Sequence, residues 1–195
     1  MKCVLLSLSA LVGSSYGSKL FSSESDTSTE IFDAHTRKLL GCNCPSSAGF
    51  HPTWRPPTKS WNGYEYLYSK AGIPWCQHQA CAEIWGGNLA SIESNEENQF
   101  IFKKIIGKEE RPGCRYAGAV WIGGYGRKLV DGSKEYKWRD NASWNFEKWP
   151  AAHPRKKNLK ISSTKVAMLH CSPWWKEFKN NVTWNKAVYK RLKKQ

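Results

Sequence analysis

Six cysteines, Cys42, Cys44, Cys76, Cys81, Cys114 and Cys171, constrain this 195-residue chain more than any other feature. They follow a leader made of Lys2, an apolar run from Cys3 to Val12, and the small residues Ser15 and Gly17 ahead of a cut expected before Ser18. Removing residues 1–17 as a signal peptide takes Cys3 with it and leaves an even set in an oxidising compartment. Disulfides are then the expected state, and the expected location is secreted and extracellular. Six cysteines allow 15 pairings, so the connectivity stays open. Cys42 and Cys44 are too close in sequence to be expected to join each other. No later segment approaches the roughly 20 apolar residues of a membrane helix.

Residues 18–41 are polar, with Ser, Thr, Asp and Glu gathered between Ser22 and Glu30. Such a stretch has too little apolar surface to order itself, so it reads as a flexible arm or a propeptide. Arg37-Lys38 is a plausible cut site. Residues 42–195 have the length of one domain.

Within that domain, Tyr64, Tyr66 and Tyr68 alternate with Glu65 and Leu67 in the period of a strand. Trp75 to Trp85 reads as a short helix closed by Gly86-Gly87. Ser94-Asn95-Glu96-Glu97 is a capping box, in which Ser94 caps the first amides and Glu97 reaches back to the cap amide. The helix it opens runs through Phe100, Ile101, Ile105 and Ile106, with Lys103 and Lys104 in its last turn and Gly107 as its stop. Ala119 to Ile122 and Val166 to Leu169 are apolar runs suited to buried strands; Asp131-Gly132 marks a turn, and Tyr136 and Trp138 share one face of another strand. Two helices ahead of several short strands give an α+β domain. Eleven tryptophans are too many for display to solvent, so Trp121, Trp138 and Trp144 are expected to be packing residues.

Trp75 and Cys81, then Gly86-Gly87-Asn88-Leu89-Ala90-Ser91-Ile92 with Glu96-Glu97-Asn98, then Trp121-Ile122-Gly123-Gly124, Trp138, Asp140, Trp144-Asn145 and Trp149 resemble the C-type lectin-like domain family. The resemblance runs from about Cys42 to Trp184. It implies two helices packed on short antiparallel strands with a long loop region, stabilised by disulfides. Trp144-Asn145-Phe146, Trp149 to Pro154 and Val166 to Cys171 are most similar to the eosinophil major basic protein branch of the family, which is calcium-independent.

Sugar-binding members hold calcium with a Glu-Pro-Asn or Gln-Pro-Asp loop and a Trp-Asn-Asp strand. Here the corresponding residues are Ala152-His153-Pro154 and Trp184-Asn185-Lys186. Calcium takes six to eight oxygen ligands, so a lysine in place of an acid removes a ligand and adds repulsion. No calcium and no cofactor is expected. The cysteine pattern departs as well: Lys165 and Tyr189 stand where the family has cysteines. The final strand is expected to be missing, and Cys81 to find its partner among Cys76, Cys114 and Cys171.

The formal charge is +14, and from Lys148 onward thirteen Lys and Arg face the single acid Glu177. Such an excess attracts polyanions and says nothing of fold. Arg155, Lys156, Lys157 and Lys160, with Lys186, Lys190 and Arg191, are the candidate polyanion ligands. The expected function is calcium-independent binding of acidic glycans such as heparin-like chains, in a defence or matrix setting. The alternatives are a membrane-disrupting basic protein acting on anionic surfaces and a calcium-dependent lectin using a non-standard site. No specific nucleic acid is expected as partner, and the oligomeric state is open. Asn141-Ala142-Ser143 and Asn181-Val182-Thr183 are glycosylation acceptors at Asn141 and Asn181. No His-Glu-x-x-His pair, Gly-x-Ser-x-Gly elbow or phosphate loop occurs, so no enzyme is expected.

Overall fold

The computed structural model describes residues 42–49, 56–108, 118–151, 153–154, 163–179, 183–184 and 186–194. Strands β1 (Lys59–Trp61), β2 (Tyr64–Ser69) and β3 (Ile73–Pro74) lead into helix α1 (Trp75–Trp85). After β4 (Asn88–Leu89) come helix α2 (Asn95–Phe100) and a wider π-helical continuation over Ile101–Ile105. The rest is strand and loop: β5 (Ala119–Lys128), β6 (Lys134–Trp138), β7 (Ser163–Leu169), β8 (Trp175–Lys179), β9 (Thr183–Trp184) and β10 (Ala187–Leu192).

Eight strands form one sheet in the order β1-β2-β10-β5-β7-β8, with β4 on β10 and β6 on β5; β3 and β9 pair separately. Both faces of its centre are buried, so neighbouring residues go to opposite sides. Tyr66, Val120, Val166 and Val188 meet α2 and Ile101, Phe102, Ile105 and Ile106 on one side. Leu67, Trp121, Ala167 and Tyr189 meet Trp75, Cys81, Ala82 and Trp85 of α1 on the other.

The local signals worked as expected at both helices. Gly86 caps α1 in the left-handed region at φ +89°, and its amide donates to Ala82 O and Glu83 O. A Cβ on Gly87 would lie 2.4 Å from the Lys190 carbonyl oxygen, so only glycine lets β10 approach so closely. The Glu97 amide donates to Ser94 Oγ at 3.1 Å. The Glu97 carboxylate, however, accepts from the Glu93 amide at 2.9 Å, one residue before the cap, because its other oxygen is drawn into the core.

Two expectations are corrected. The final strand is present: β10 pairs antiparallel with β2 from Ala187↔Ser69 to Leu192↔Tyr64. Tyr189, where a cysteine was expected, is fully buried against Trp85 and His78. Cys81 bonds to Cys44 and Cys76 to Cys42, so the N-terminal segment is stapled to α1 twice. Cys81 and Cys76 lie five residues apart on the helix, which aims them at different cysteines of the segment. Cys171 is disulfide-bonded too; Cys114 lies outside the described residues.

Trp121 and Trp138 are completely buried, as their packing role requires. Trp144 is half-buried and stacks within a cluster holding Tyr136, Trp138, Trp149 and Trp175. Trp175 Nε1 donates to Asn98 Oδ1 at 2.8 Å and Asn98 Nδ2 to the Pro173 carbonyl at 2.9 Å, tying that cluster to α2.

Candidate functional site

Three of the seven cationic residues expected to hold a polyanion lie among the described residues, and two of those are turned to structural use. Lys190 is only 5% exposed. Its ammonium lies 2.7 Å from Glu97 Oε1, 3.6 Å from Glu93 Oε2 and 4.2 Å from the centre of the Tyr64 ring. It also donates to Ser91 O at 3.3 Å. Tyr66 donates to the same Glu97 oxygen at 2.6 Å, and burial followed by the Glu97 charge pushes the Tyr66 hydroxyl far above its ordinary range. A buried charge is tolerated only when paired and hydrogen-bonded, which describes Lys190.

Arg191 forks onto Glu65, with Nη2 2.8 Å from Oε2, donates from Nη1 to the Trp85 carbonyl at 2.7 Å, and stacks on the Trp85 ring at 4.2 Å. Lys190 and Arg191, both expected to hold an acidic ligand, are thus each paired with an acid of the fold. Alternation sends them to opposite faces of β10, and each face brings its own acid. Arg155, Lys156, Lys157 and Lys160 lie outside the described residues, as does Asn181. Asn141 is exposed, at φ +61°.

Lys186 is the third. Its ammonium sits 3.2 Å from His170 Nε2. Burial, then the Lys186 charge, then that of Lys108 hold the His170 imidazole below its ordinary pKa, so it is neutral at physiological pH. A cation and a neutral imidazole thus stand where the family resemblance places an acidic ligand. Among the described residues no group of three or more His, Cys, Asp or Glu is placed to hold a metal ion.

A second cationic region was not legible in the sequence. The registers Lys137↔Tyr125, Tyr125↔Lys165 and Lys165↔Phe178 place four residues in one row across β6, β5, β7 and β8. Alternation adds Arg127 and Lys176 to the same face, and Arg139, just past β6, is close enough for its charge to act on Lys165. Lys165 lies with its ammonium 4.2 Å from the centre of the Trp75 ring and 5.2 Å from that of Tyr125. Burial, and secondarily the Arg139 charge, lower its pKa to about 8. Among the described residues Lys165 makes no ion pair. Glu135 is the one carboxylate that these four strands place on that face among the described residues, and Arg127 (2.6 Å) and Lys137 (3.2 Å) both hold it.

No family model matches the chain. Rat (Rattus norvegicus) bone marrow proteoglycan is 36% identical over 90 residues, which cover 43% of this chain. The matched segment spans only about a third, 34%, of that relative's length. The galactose-specific lectin nattectin of Thalassophryne nattereri is 27% identical over 167 residues, covering 80% of this chain and 90% of nattectin. Among solved structures, the cow carbohydrate-recognition domain of CD23 superposes with a TM-score of 0.56 at 23% identity, over 73% of this chain and 98% of that domain. Nattectin is a galactose-specific lectin and the cow domain a carbohydrate-recognition domain. With the sheet flanked by two helices and the superposition on the cow domain in agreement, the chain has the C-type lectin-like fold.

Proposed function

We propose that the protein is a secreted, calcium-independent member of the lectin-like family that binds acidic glycans. The observation that carries the reading is Lys186, an ammonium beside neutral His170 where a calcium ligand would have to be an acid. Calcium requires several oxygen ligands, and a cation at that position repels it. The residues present do not fit the ion.

The charge excess gives the ligand class. Each basic residue close to an anionic surface contributes on the order of 1 kcal/mol, within a Debye length of about 8 Å at physiological salt. A handful of them gives salt-sensitive binding of roughly micromolar strength. Lys186, the Arg155-Lys156-Lys157 run and Lys160 are the residues proposed to act together. The exposed Asn141 is proposed to carry a glycan.

The test is retention of the secreted protein on immobilised heparin over a salt gradient, with calcium and with chelator in parallel. Elution well above physiological salt, unchanged by chelator, is expected. Passage through heparin with chelator-sensitive retention on a neutral sugar resin would make the protein an ordinary calcium lectin.

A second reading, action on anionic membranes, is favoured by the β5–β6 hairpin, whose tip exposes Val130 and Leu129 beside Lys128. Against it, hydrogen bonds from the Ser133 hydroxyl and amide hold the Asp131 carboxyl below its usual range, so a negative charge stands at the same tip. Acidic glycans are therefore preferred. Dye release from anionic vesicles at micromolar protein is the measurement that would reverse the order.

A further inference from the structure

We propose that Lys165, walled by Trp75 and Tyr125 on a cationic sheet face, is a subsite for one sulfate or carboxylate group of an acidic sugar. This deepens the acidic-glycan reading and rests on it for the identity of the ligand.

The geometry begins with a missing counter-charge. Lys190 and Lys165 both stand on inner strands of the same sheet, yet only Lys190 was given carboxylates. Lys165 is shielded from water by two rings, which interact favourably with an ammonium through their faces but do not neutralise it. Along the same face Lys137 and Lys176 add positive potential, as does Arg139 just past β6, and Glu135 at the far end is already shared by Arg127 and Lys137. Trp75 is the first residue of α1; its N-cap, Pro74, offers no side-chain hydrogen bond, and the first turn holds no acid. The positive end of that helix therefore adds to the local positive field.

An anion arriving here restores what the fold omits. It pairs with the Lys165 ammonium, reduces the mutual repulsion of the cations, and leaves the half-buried Tyr125 ring as a wall for the apolar face of a pyranose. The lowered amine pKa agrees with this direction: burial without an anion disfavours the charged form, and a bound anion would favour it. The neighbouring strands place the cations Lys137 and Lys176 on the same face as the amine, and the charge of Arg139, just past β6, acts on it as well.

The experiment uses the whole secreted chain with its lysines reductively dimethylated with carbon-13, so that the Lys165 amine is followed by NMR. Inorganic sulfate and a heparin-derived disaccharide are the probes, each titrated across pH 6 to 10. The expected result is that both move the Lys165 resonance and raise its midpoint from about 8 by about one unit. Lys165→Met lowers sulfate affinity about tenfold, whereas Lys165→Arg stays within about threefold because a guanidinium also pairs with sulfate.

A Lys165 resonance that ignores both probes while the protein is retained on heparin overturns the subsite and leaves the glycan reading standing. A Lys165→Met protein with native near-ultraviolet circular dichroism and unchanged sulfate affinity does the same. Should Lys165→Met not fold, Lys165→Arg and the wild-type titration decide the matter. Failure of the glycan reading itself is read separately, as wild-type protein that flows through heparin at low salt.

Discussion

Lys190 on β10 and Lys165 on β7 are lysines of one sheet placed in opposite company. Lys190 lies among Glu97, Glu93, Ser91 and the Tyr64 ring; Lys165 lies between Trp75 and Tyr125 with cations for neighbours. The sequence advertised Lys190, as part of a basic run beside Arg191, Lys193 and Lys194, far more loudly than Lys165. The comparison teaches that a basic run is not a ligand site until the counter-charges from distant elements are known. The pair at Lys190 is closed by residues about ninety positions away.

The largest effect should come from breaking the closed site. Lys190→Met leaves Glu97 buried without its cation and should cost about 3–5 kcal/mol in denaturant unfolding. Adding Glu97→Gln should return much of that loss, and a double variant as unstable as the single one would mean that the pair is not a unit.

The open site should behave in the reverse sense. Because folding lowers the Lys165 pKa from 10.5 to about 8, the unfolded chain holds more protons between those limits, so this group makes stability rise as pH climbs from about 8 to about 10. Lys165→Met should remove about 1–2 kcal/mol of that rise, after allowance for solvent screening, in parallel melts of the two proteins at several pH values. Parallel stability curves for both would show that Lys165 is solvated in the folded state.

Arg191→Gln should separate structure from binding. Losing the fork onto Glu65 and the stacking on Trp85 should cost about 1–2 kcal/mol, yet the salt concentration for heparin elution should stay unchanged. Earlier elution of a fully folded variant would restore Arg191 to the ligand set. The smallest effect concerns His170: Lys186→Gln should raise its pKa toward 6.5 in an NMR titration without restoring it, since burial, the larger cause, remains.

Much of the fold was legible because its signals are local. The Ser94 cap, Gly86 at positive φ, the Asp131 turn and the apolar runs of β5 and β7 each act within a few residues. Even Lys165 was visible as a lysine standing where the family has a cysteine, although nothing near it in sequence announced the rings that wall it.

The α+β class, the two helices, the family resemblance and the formal charge of +14 could all be read from the order of residues alone. Only the tertiary structure decided that a last strand exists, that Cys44 and not a later cysteine holds Cys81, and which lysines are closed and which open. The physical reason is that pattern and capping are written over neighbouring residues. Strand pairing, disulfide choice and the neutralisation of a charge depend on partners that register brings from 37 to more than 90 positions away.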